Sequence, residues 1–217
     1  VAELFPVLIV DRKDEIWWKV GTSYRRVPGG AGGRAAIDDV TGALYATDSK
    51  RQLIYYDAVG TSWRISPLSS IHEMRASGGS LYALLNDGHL VVADKEGKNT
   101  MQLFPKSVKN GALEVSSGIV YLIAEDGSVY RYRSKKWDQK GQPIAFAMKR
   151  IIARGENWYG LDGAGRIFCS MVQRYIDRDG NTDSMWGVGK DLLVLTRGLE
   201  RFYYNQDSDG WGPWAHW

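Results

Sequence analysis

The sequence is poor in the residues that covalent cross-links and metal cages require. Cys169 is the only cysteine among 217 residues, which excludes a disulfide within the chain and a multi-cysteine metal site. No apolar run approaches the roughly 20 residues that span a bilayer, and no signal-type segment opens the sequence. We therefore expect no membrane insertion, while a secreted and a cytoplasmic location both remain open.

An excess of one charge is also lacking, since 28 basic residues face 25 acidic ones. The paired basic residues Arg25-Arg26, Lys135-Lys136 and Lys149-Arg150 are scattered along the chain. A nucleic-acid-binding surface would gather such charge on one face, together with stacking aromatic residues. We therefore expect no nucleic-acid partner.

Catalytic signatures are missing as well. His72, His89 and His216 stand in no metal-ligand spacing, and the sequence has no nucleophile elbow, phosphate-binding loop or dinucleotide fingerprint. An enzyme needs an acid, a base, a nucleophile or metal ligands that converge on one point. The lone Cys169 lies in an apolar run, where a free cysteine is usually a small buried hydrophobe. The sequence thus predicts a protein without enzymatic activity.

What the sequence has in abundance is aromatic residues and glycine, with nine Trp, twelve Tyr and 25 Gly. This composition is typical of a turn-rich β-protein with periodic motifs. An apolar run, a polar turn and a second apolar or aromatic run return six times, beginning near residues 7, 44, 81, 120, 158 and 192. Five prolines follow these starts by 21 to 24 residues, and a proline marks a strand end because it cannot donate to the ladder. They are Pro28, Pro67, Pro105, Pro143 and Pro213.

Each repeat divides into four short strands, which the third repeat shows most clearly. There the apolar runs predict strands at residues 71–76, 81–85, 90–93 and 101–104, with a hairpin turn at Asp87-Gly88. Four strands in about 37 residues make a β-propeller blade. We predict an all-β, single-domain protein over residues 1–217, a six-bladed β-propeller with four antiparallel strands per blade. The first blade lacks its innermost strand, so we expect Val1 and Trp217 to lie close together and close the ring.

The recurring aromatic residues fall into two groups. Tyr45, Tyr82, Tyr121 and Tyr159 each lie one residue into a second strand, and we expect them to pack between blades. A second group lies at or near the fourth strand or does not recur, and it supplies the candidate ligand-binding residues, because aromatic planes stack on the C–H faces of sugars. These candidates are Trp63, Trp137, Trp211, Trp214, Trp186, Tyr175 and Tyr24. A groove repeated in every blade would bind sugars multivalently.

One acidic loop has the spacing of a cation site. Asp177, Asp179, Asn181 and Asp183 place oxygen donors at alternate positions, as loops that bind hard cations do. The loop has no closing bidentate glutamate, and Asp/Asn/Gly clusters also build ordinary turns. We expect no cofactor apart from calcium as a candidate at this loop.

Three groups of residues carry a family resemblance. They are residues 24–30 before Ile37-Asp38 and Leu44-Tyr45-Ala46, then Trp63-Arg64-Ile65 before Ile71 and Leu81-Tyr82, and finally Trp158-Tyr159-Gly160 with Met185-Trp186-Gly187-Val188. Their order resembles the repeat of the tectonin or tachylectin-type lectins. The resemblance implies a propeller that recognises glycans, bacterial or modified surface sugars among them, in innate defence. Our first hypothesis is therefore a multivalent carbohydrate-binding lectin.

Two other functions remain open, because a propeller fold does not specify its function. The alternative is a non-catalytic protein-interaction propeller that binds a peptide or a partner domain. The third is a metal-dependent propeller hydrolase, which would need acidic side chains to converge on the central axis. Asp38, Glu73 and Glu114 are the candidates that the innermost strands offer.

Overall fold

The chain folds into β-strands joined by short turns. The computed structural model describes residues 8–20, 22–38, 40–57, 61–104, 106–108, 111–138, 143–145, 147–176, 182–188, 191–196, 201–205, 208 and 210–213. The elements assigned within these ranges are 23 strands, with a single residue of 3₁₀ conformation at Asp138, which confirms the all-β prediction. Within the same ranges, no helix is long and apolar enough to cross a bilayer.

The strands form consecutive sheets in which spatial order follows chain order. The first sheet contains β1 (Leu8–Val10), β2 (Ile16–Val20) and β3 (Ser23–Arg26). The second contains β4 (Ala35–Ile37), β5 (Leu44–Thr47), β6 (Leu53–Asp57) and β7 (Ser62–Ile65). The third contains β8 (Ile71–Ser77), β9 (Ser80–Leu85), β10 (Leu90–Ala93) and β11 (Met101–Gln102).

Three further sheets follow the same scheme. The fourth contains β12 (Ala112–Ser116), β13 (Ile119–Ile123), β14 (Val129–Arg133) and β15 (Lys136–Trp137). The fifth contains β16 (Met148–Arg154), β17 (Asn157–Asp162), β18 (Ile167–Cys169) and β19 (Arg174–Tyr175). The sixth contains β20 (Thr182–Val188), β21 (Asp191–Thr196), β22 (Arg201–Asn205) and β23 (Gly210–Pro213).

The third repeat tests the strand predictions directly. Its four predicted strands all exist, and the third matches Leu90–Ala93 residue for residue. Gly88 has a φ of 85°, and its N–H donates to the Leu85 carbonyl over 2.9 Å. The hairpin turn predicted at Asp87-Gly88 is therefore confirmed, with glycine where the turn needs a positive φ.

The prolines mark strand ends as expected. β3 ends two residues before Pro28, and β7 ends two residues before Pro67. In both places the residue just before the proline still donates its N–H to the neighbouring strand, Val27 to Ile16 over 2.8 Å and Ser66 to Leu53 over 2.9 Å. The proline thus falls at a position from which no N–H is needed, and beyond it the carbonyls of Gly30 and Leu68 accept from Ile16 and Leu53.

A recurring aspartate shapes many of the hairpins. Its Oδ1 accepts the backbone N–H groups two and four residues further on, over 2.8–3.0 Å. The residues that do so are Asp11, Asp48, Asp94 and Asp162. This bonding ties a short side chain to the donors of its own turn, as in an Asx turn.

The chain divides into two compact units, residues 1–118 (unit 1) and residues 119–217 (unit 2). In unit 1, β4 lies against β8 and β8 against β12, around a core that includes Tyr45, Ile71 and Leu81. In unit 2, β13 lies against β16 and β16 against β20, with Tyr159 and Tyr204 in the core. The β4–β8, β8–β12 and β16–β20 contacts join the first strands of consecutive sheets, which is the packing expected of propeller blades.

Three parts of the sequence-based prediction are not decided by these strands. Val1 and Trp217 lie outside the described residues, so the closure expected there stays a prediction. The blade count of six and the single domain over residues 1–217 stay predictions as well. The first sheet, in which β1 is an edge strand, has three strands within the described part of the chain.

Candidate functional site

Two of the predicted ligand-binding tryptophans are packed into their own units. Trp63 on β7 contacts the rings of Trp18 and Tyr56, with centroids 5.8 and 5.5 Å apart. Trp211 on β23 lies 5.4 Å from the Tyr204 ring and donates its indole N–H to a backbone carbonyl. These side chains stabilise the outer strands and present little surface to a ligand.

The other predicted aromatic residues are more dispersed. Tyr24 on β3 and Tyr175 on β19 expose 48% and 42% of their surface. Trp137 on β15 is half-buried beside Tyr132, with centroids 5.3 Å apart. The strand β20 includes the backbone of Trp186. The side chain of Trp186 and the whole of Trp214 lie outside the described residues.

The predicted calcium loop is only partly described. Asp177, Asp179 and Asn181 lie outside the described residues. Asp183 is exposed on β20 and accepts a hydrogen bond from the Ser184 hydroxyl over 2.9 Å. Among the residues that the structure does describe, no three His, Cys, Asp or Glu side chains are grouped to hold a metal ion. Calcium at this loop therefore remains an expectation.

The buried positions of the repeat are occupied as expected. The four recurring tyrosines at the second strand are all buried, and Tyr45 and Tyr121 are completely so. Across adjacent sheets of unit 2, the Tyr121 hydroxyl donates to the carbonyls of Gly155 and Glu156, at 3.0 and 3.1 Å. Cys169 is 1% exposed, which confirms its role as a small buried hydrophobe.

The acidic residues on which a hydrolase would depend already have partners in unit 1. Glu73 accepts the Leu113 N–H over 2.8 Å and pairs with Arg75, while Glu114 pairs with the same arginine. Asp38 accepts three backbone N–H groups, including that of Gly79 over 2.7 Å. Burial opposes the charged form of Asp38, but these hydrogen bonds outweigh it and hold the pKa of its carboxyl below the ordinary value.

Unit 2 contains an open groove of about 740 Å³ between its neighbouring sheets. The groove is lined by Arg131, Arg133, Asp138, Ile144, Ala145, Met148, Glu156, Asn157, Trp158, Phe168, Ser170, Gln173 and Tyr175. It therefore combines a group of charged side chains with a group of aromatic ones. Of the predicted ligand-binding side chains that the structure describes, Tyr175 lines this groove.

Two arginines and one carboxylate form the charged floor of the groove. Arg131 and Arg133 lie two apart on β14, and alternate residues of a strand share a face. The Arg131 Nε donates to Asp138 Oδ2 over 2.6 Å, and the Arg133 Nε donates to Asp138 Oδ1 over 3.0 Å. Both oxygens of Asp138 are therefore engaged, and the three side chains together carry a formal charge of +1.

The Asp138 side chain is 11% exposed, and both its burial and its two arginine partners affect its ionisation. Burial disfavours its charged form, but hydrogen bonds and charge from Arg131 and Arg133 outweigh burial and hold the pKa of Asp138 below the ordinary value. Glu156 supplies the fourth charge, with Oε2 at 2.8 Å from the Arg133 Nη1. Its side chain is 65% exposed.

Aromatic rings form one wall of the groove. The Phe168 ring lies between Trp158 and Tyr175, with centroid distances of 5.4 and 5.7 Å. The Arg166 guanidinium carbon sits 4.5 Å from the Tyr175 ring centre, and Asp162 accepts the Arg166 Nε over 2.8 Å. This cation–π contact, together with the Phe168 ring, orients the exposed Tyr175 side chain.

The turn between β18 and β19 contributes Ser170 and Gln173 to the lining of the groove. Met171 and Val172 in the same turn are exposed, as is Tyr175 on β19. Gln173 in the same turn has a φ of 53° and donates its side-chain amide to the Ser170 carbonyl. Exposed apolar side chains next to a polar site are characteristic of binding surfaces.

Sequence reasoning missed the charged part of this site. Arg131 and Arg133 stand in the alternating segment Tyr130-Arg131-Tyr132-Arg133, which places two cations on one face of a strand. Asp138 follows β15 and Glu156 occupies the turn before β17. The alternation was a signal that two arginines share a face, but nothing local in the sequence pairs them with these two acids.

Comparison with known proteins bears on the fold. No protein-family model and no curated protein matches the chain. Among solved structures, nidogen in its complex with laminin is 14% identical, with a TM-score of 0.61 over 95% of this chain and 91% of that one. YCF48 bound to D1 peptide is 14% identical, with a TM-score of 0.64 over 96% and 78%. BamB from Moraxella catarrhalis is 14% identical, with a TM-score of 0.56 over 94% and 71%.

These structural neighbours are β-propellers. At such low identity the likeness concerns the fold alone, and it gives no evidence for the tectonin or tachylectin-type lectins. The chain is thus an all-β protein with several four-stranded antiparallel sheets whose neighbours support a propeller fold.

Proposed function

We propose that the protein is a non-catalytic protein-interaction propeller whose groove in unit 2 binds an extended segment of a partner protein. The observation that carries the proposal is the exposed Tyr175, which lines the same groove as the charged floor of Arg131 and Arg133. Two more exposed apolar residues, Met171 and Val172, lie in the turn that precedes Tyr175. An apolar patch bordered by polar groups is the usual composition of a protein-binding surface. The groove is open rather than enclosed.

Two of the structural neighbours are described in complexes, nidogen with laminin and YCF48 with D1 peptide. These partners belong to those proteins, and what we carry over is the general use of a propeller as a binding platform. We propose no enzymatic activity and no nucleic-acid partner. The support for the first is that Asp38, Glu73 and Glu114 are engaged in structural hydrogen bonds and ion pairs.

Glycan binding is the second candidate function, and the tectonin resemblance points to it. Its support is that Tyr24 and Tyr175 present exposed rings at the fourth strands of two repeats. Against it, Trp63 and Trp211 hold corresponding places and are packed into the protein. A site repeated in every blade would need equivalent exposed aromatic residues, which these four side chains do not supply.

We further propose that the six sheets are the blades of one ring, closed by pairing of the terminal segments. The support is the three-stranded first sheet, in which β1 corresponds to the second strands of the following sheets. The test is removal of residues 214–217, which keeps β23 and should lower the melting temperature by several degrees. An unchanged melting temperature would contradict closure by the terminal segments.

The test of the proposed function is selection of peptides by the intact protein. Random 12-residue peptides displayed on phage would be selected on the wild type and then assayed on Met171→Ala and Tyr175→Ala. We expect selected peptides to lose at least about tenfold in affinity on Tyr175→Ala, because truncating a buried aromatic anchor at an interface costs about 1.4 kcal/mol or more. Tyr24→Ala is the matched control, since it removes a similarly exposed tyrosine from unit 1.

The same variants separate the two candidate functions. A glycan array probed with the wild type should show no selective binding if the groove recognises protein. Selective binding to one sugar class that is lost on Tyr24→Ala would instead support the lectin. Peptides whose affinity is unaffected by Met171→Ala and Tyr175→Ala would contradict the groove as the binding site.

A further inference from the structure

We infer that the groove selects partner segments by an acidic side chain, and that Glu156 occupies the place of that side chain in the free protein. This inference rests on the proposed function, and it adds the chemistry of the partner. The observation that carries it is that Arg133 pairs with two carboxylates, of which Asp138 is largely buried and Glu156 is exposed.

The first step of the argument is the charge of the floor. Asp138 is shared by Arg131 and Arg133, so one carboxylate serves two guanidinium groups. Glu156 supplies the second negative charge through the Arg133 Nη1, at 2.8 Å. Without Glu156 the floor has an unbalanced positive charge inside a groove, which is an environment that attracts a carboxylate.

The second step is that Asp138 is bound more firmly than Glu156. Asp138 is 11% exposed and engaged through both oxygens, whereas Glu156 is 65% exposed and holds Arg133 through one oxygen. An exposed ion pair contributes little net stability, because water and salt compete with it. An incoming carboxylate therefore displaces Glu156 at small cost, and it leaves Asp138 in place.

The third step is that Glu156 can leave without disturbing the backbone. The turn that carries it is anchored from β13 by the Tyr121 hydroxyl, which donates to the carbonyls of Gly155 and Glu156. Tyr121 is fully buried, so this anchor does not depend on the ion pair. Rotation of one exposed side chain is enough to clear Arg133.

The fourth step concerns the rest of the segment. The aromatic wall of Trp158, Phe168 and Tyr175 lines the same groove as Arg133. In an extended segment, successive side chains point to opposite sides. A segment with an acid near an aromatic or aliphatic residue would therefore satisfy both parts of the groove at once.

The experiment uses the peptide selection on the intact protein. Displayed peptides are fused to the coat protein at their carboxyl end, so an acid that they use must be a side chain. We expect selected sequences to be enriched in Asp or Glu beside an apolar residue. Affinity should rise about threefold or more on Glu156→Gln, which removes the competitor, and fall about tenfold or more on Arg133→Gln.

Matched variants control for changes in surface charge and folding. Glu96→Gln removes an exposed carboxylate that pairs with Lys98, and Arg64→Gln removes an exposed arginine that pairs with Asp57, both in unit 1. We expect neither to change the affinity. Arg133→Lys keeps the charge and loses the planar fork, so it should retain part of the binding even if Arg133→Gln folds poorly.

The outcomes distinguish this inference from the proposed function. Peptides that depend on Tyr175 but show no acidic enrichment and no response to Glu156→Gln would overturn the inference and leave the proposed function intact. Synthetic peptides that bind only when their carboxyl terminus is free would also overturn the inference and leave the proposed function intact. A selection that yields no groove-dependent peptide would overturn the proposed function and this inference with it.

Discussion

The two units each contain an arginine-centred cluster of charges, and the two clusters are built in opposite ways. In unit 1 one arginine, Arg75, pairs with two half-buried acids, Glu73 at 2.8 Å and Glu114 at 3.2 Å. In unit 2 two arginines share the single buried acid Asp138, and the remaining acid lies mostly in solvent. The first cluster has a formal charge of −1, whereas the second is formally neutral only when the exposed Glu156 is counted.

The difference explains why we assign a structural role to the acids of unit 1 and propose a binding role for the cluster of unit 2. Glu73 also accepts the N–H of Leu113 on the neighbouring strand β12, so its carboxylate ties two first strands together. Arg133 in unit 2 pairs with Glu156 as well as with Asp138, and the Glu156 side chain is mostly exposed. Replacing a half-buried acid that accepts a backbone N–H costs stability, whereas replacing an exposed acid that pairs with an arginine costs little.

We expect the largest loss of stability from Asp138→Asn. The change leaves Arg131 and Arg133 side by side without their shared negative charge, so we expect a loss of about 2 kcal/mol in the free energy of unfolding. Urea titration followed by tryptophan fluorescence measures this loss. Glu96→Gln is the control, because its pair with Lys98 is exposed and should cost less than about 0.5 kcal/mol. Equal effects for the two variants would contradict a special role of Asp138.

The same aspartate should make stability sensitive to acid. Burial opposes ionisation of Asp138, yet its two arginines hold its pKa below the ordinary value. A folded-state pKa below the unfolded one means that the stabilisation is present above the unfolded value of about 3.9 and is lost as pH falls through the folded pKa. Stability of the wild type should therefore fall below about pH 4, and Asp138→Asn should show a shallower fall. An identical acid profile for both proteins would contradict this assignment.

Glu73→Gln and Glu156→Gln compare the acids of the two clusters directly. Glu73→Gln removes an ion pair and weakens the acceptor for the Leu113 N–H, so we expect about 1 kcal/mol of destabilisation. Glu156→Gln should leave the urea midpoint unchanged within error, because its side chain is mostly exposed. A larger loss for Glu156→Gln than for Glu73→Gln would reverse the distinction between the two clusters.

The strand pattern was predictable because it is local. The apolar run at residues 90–93 and the turn at Asp87-Gly88 lie within a few residues of each other, and the structure has both. The buried tyrosines were predictable for a similar reason, since Tyr45 and Tyr121 recur at a fixed place in the repeat. Periodicity along the chain carries this information without any long-range contact.

The groove was not predictable in the same way, because it depends on side chains that meet across neighbouring sheets. Arg133 lies 23 residues before Glu156 in the chain, and no local pattern pairs them. Position in the repeat also failed to separate exposed aromatic residues from buried ones. Trp211 donates its indole N–H to Ile176, whereas Tyr175 remains exposed near the corresponding place.

The smallest expected change in the free energy of unfolding comes from two tyrosines at the same position of the repeat, Tyr45 and Tyr121. The Tyr45 hydroxyl is buried and has no hydrogen-bond partner among the described residues, whereas the Tyr121 hydroxyl donates to two carbonyls. Tyr121→Phe should therefore cost about 1 kcal/mol, and Tyr45→Phe should change stability by less than about 0.5 kcal/mol or increase it. Urea titration of the two variants measures the difference.

Alkaline titration sharpens the same comparison. Burial, with Asp38 and Asp94 nearby, raises the pKa of Tyr45 to about 12. Burial also raises the pKa of Tyr121, but its hydrogen bond and charge interaction with Arg131 act in the opposite direction. The stabilisation from a raised tyrosine pKa is present below the unfolded value of about 10 and is lost as pH rises through the folded one. Tyr45→Phe should therefore reduce the loss of stability at high pH, and an unaltered alkaline profile would show that Tyr45 ionises as an exposed tyrosine does.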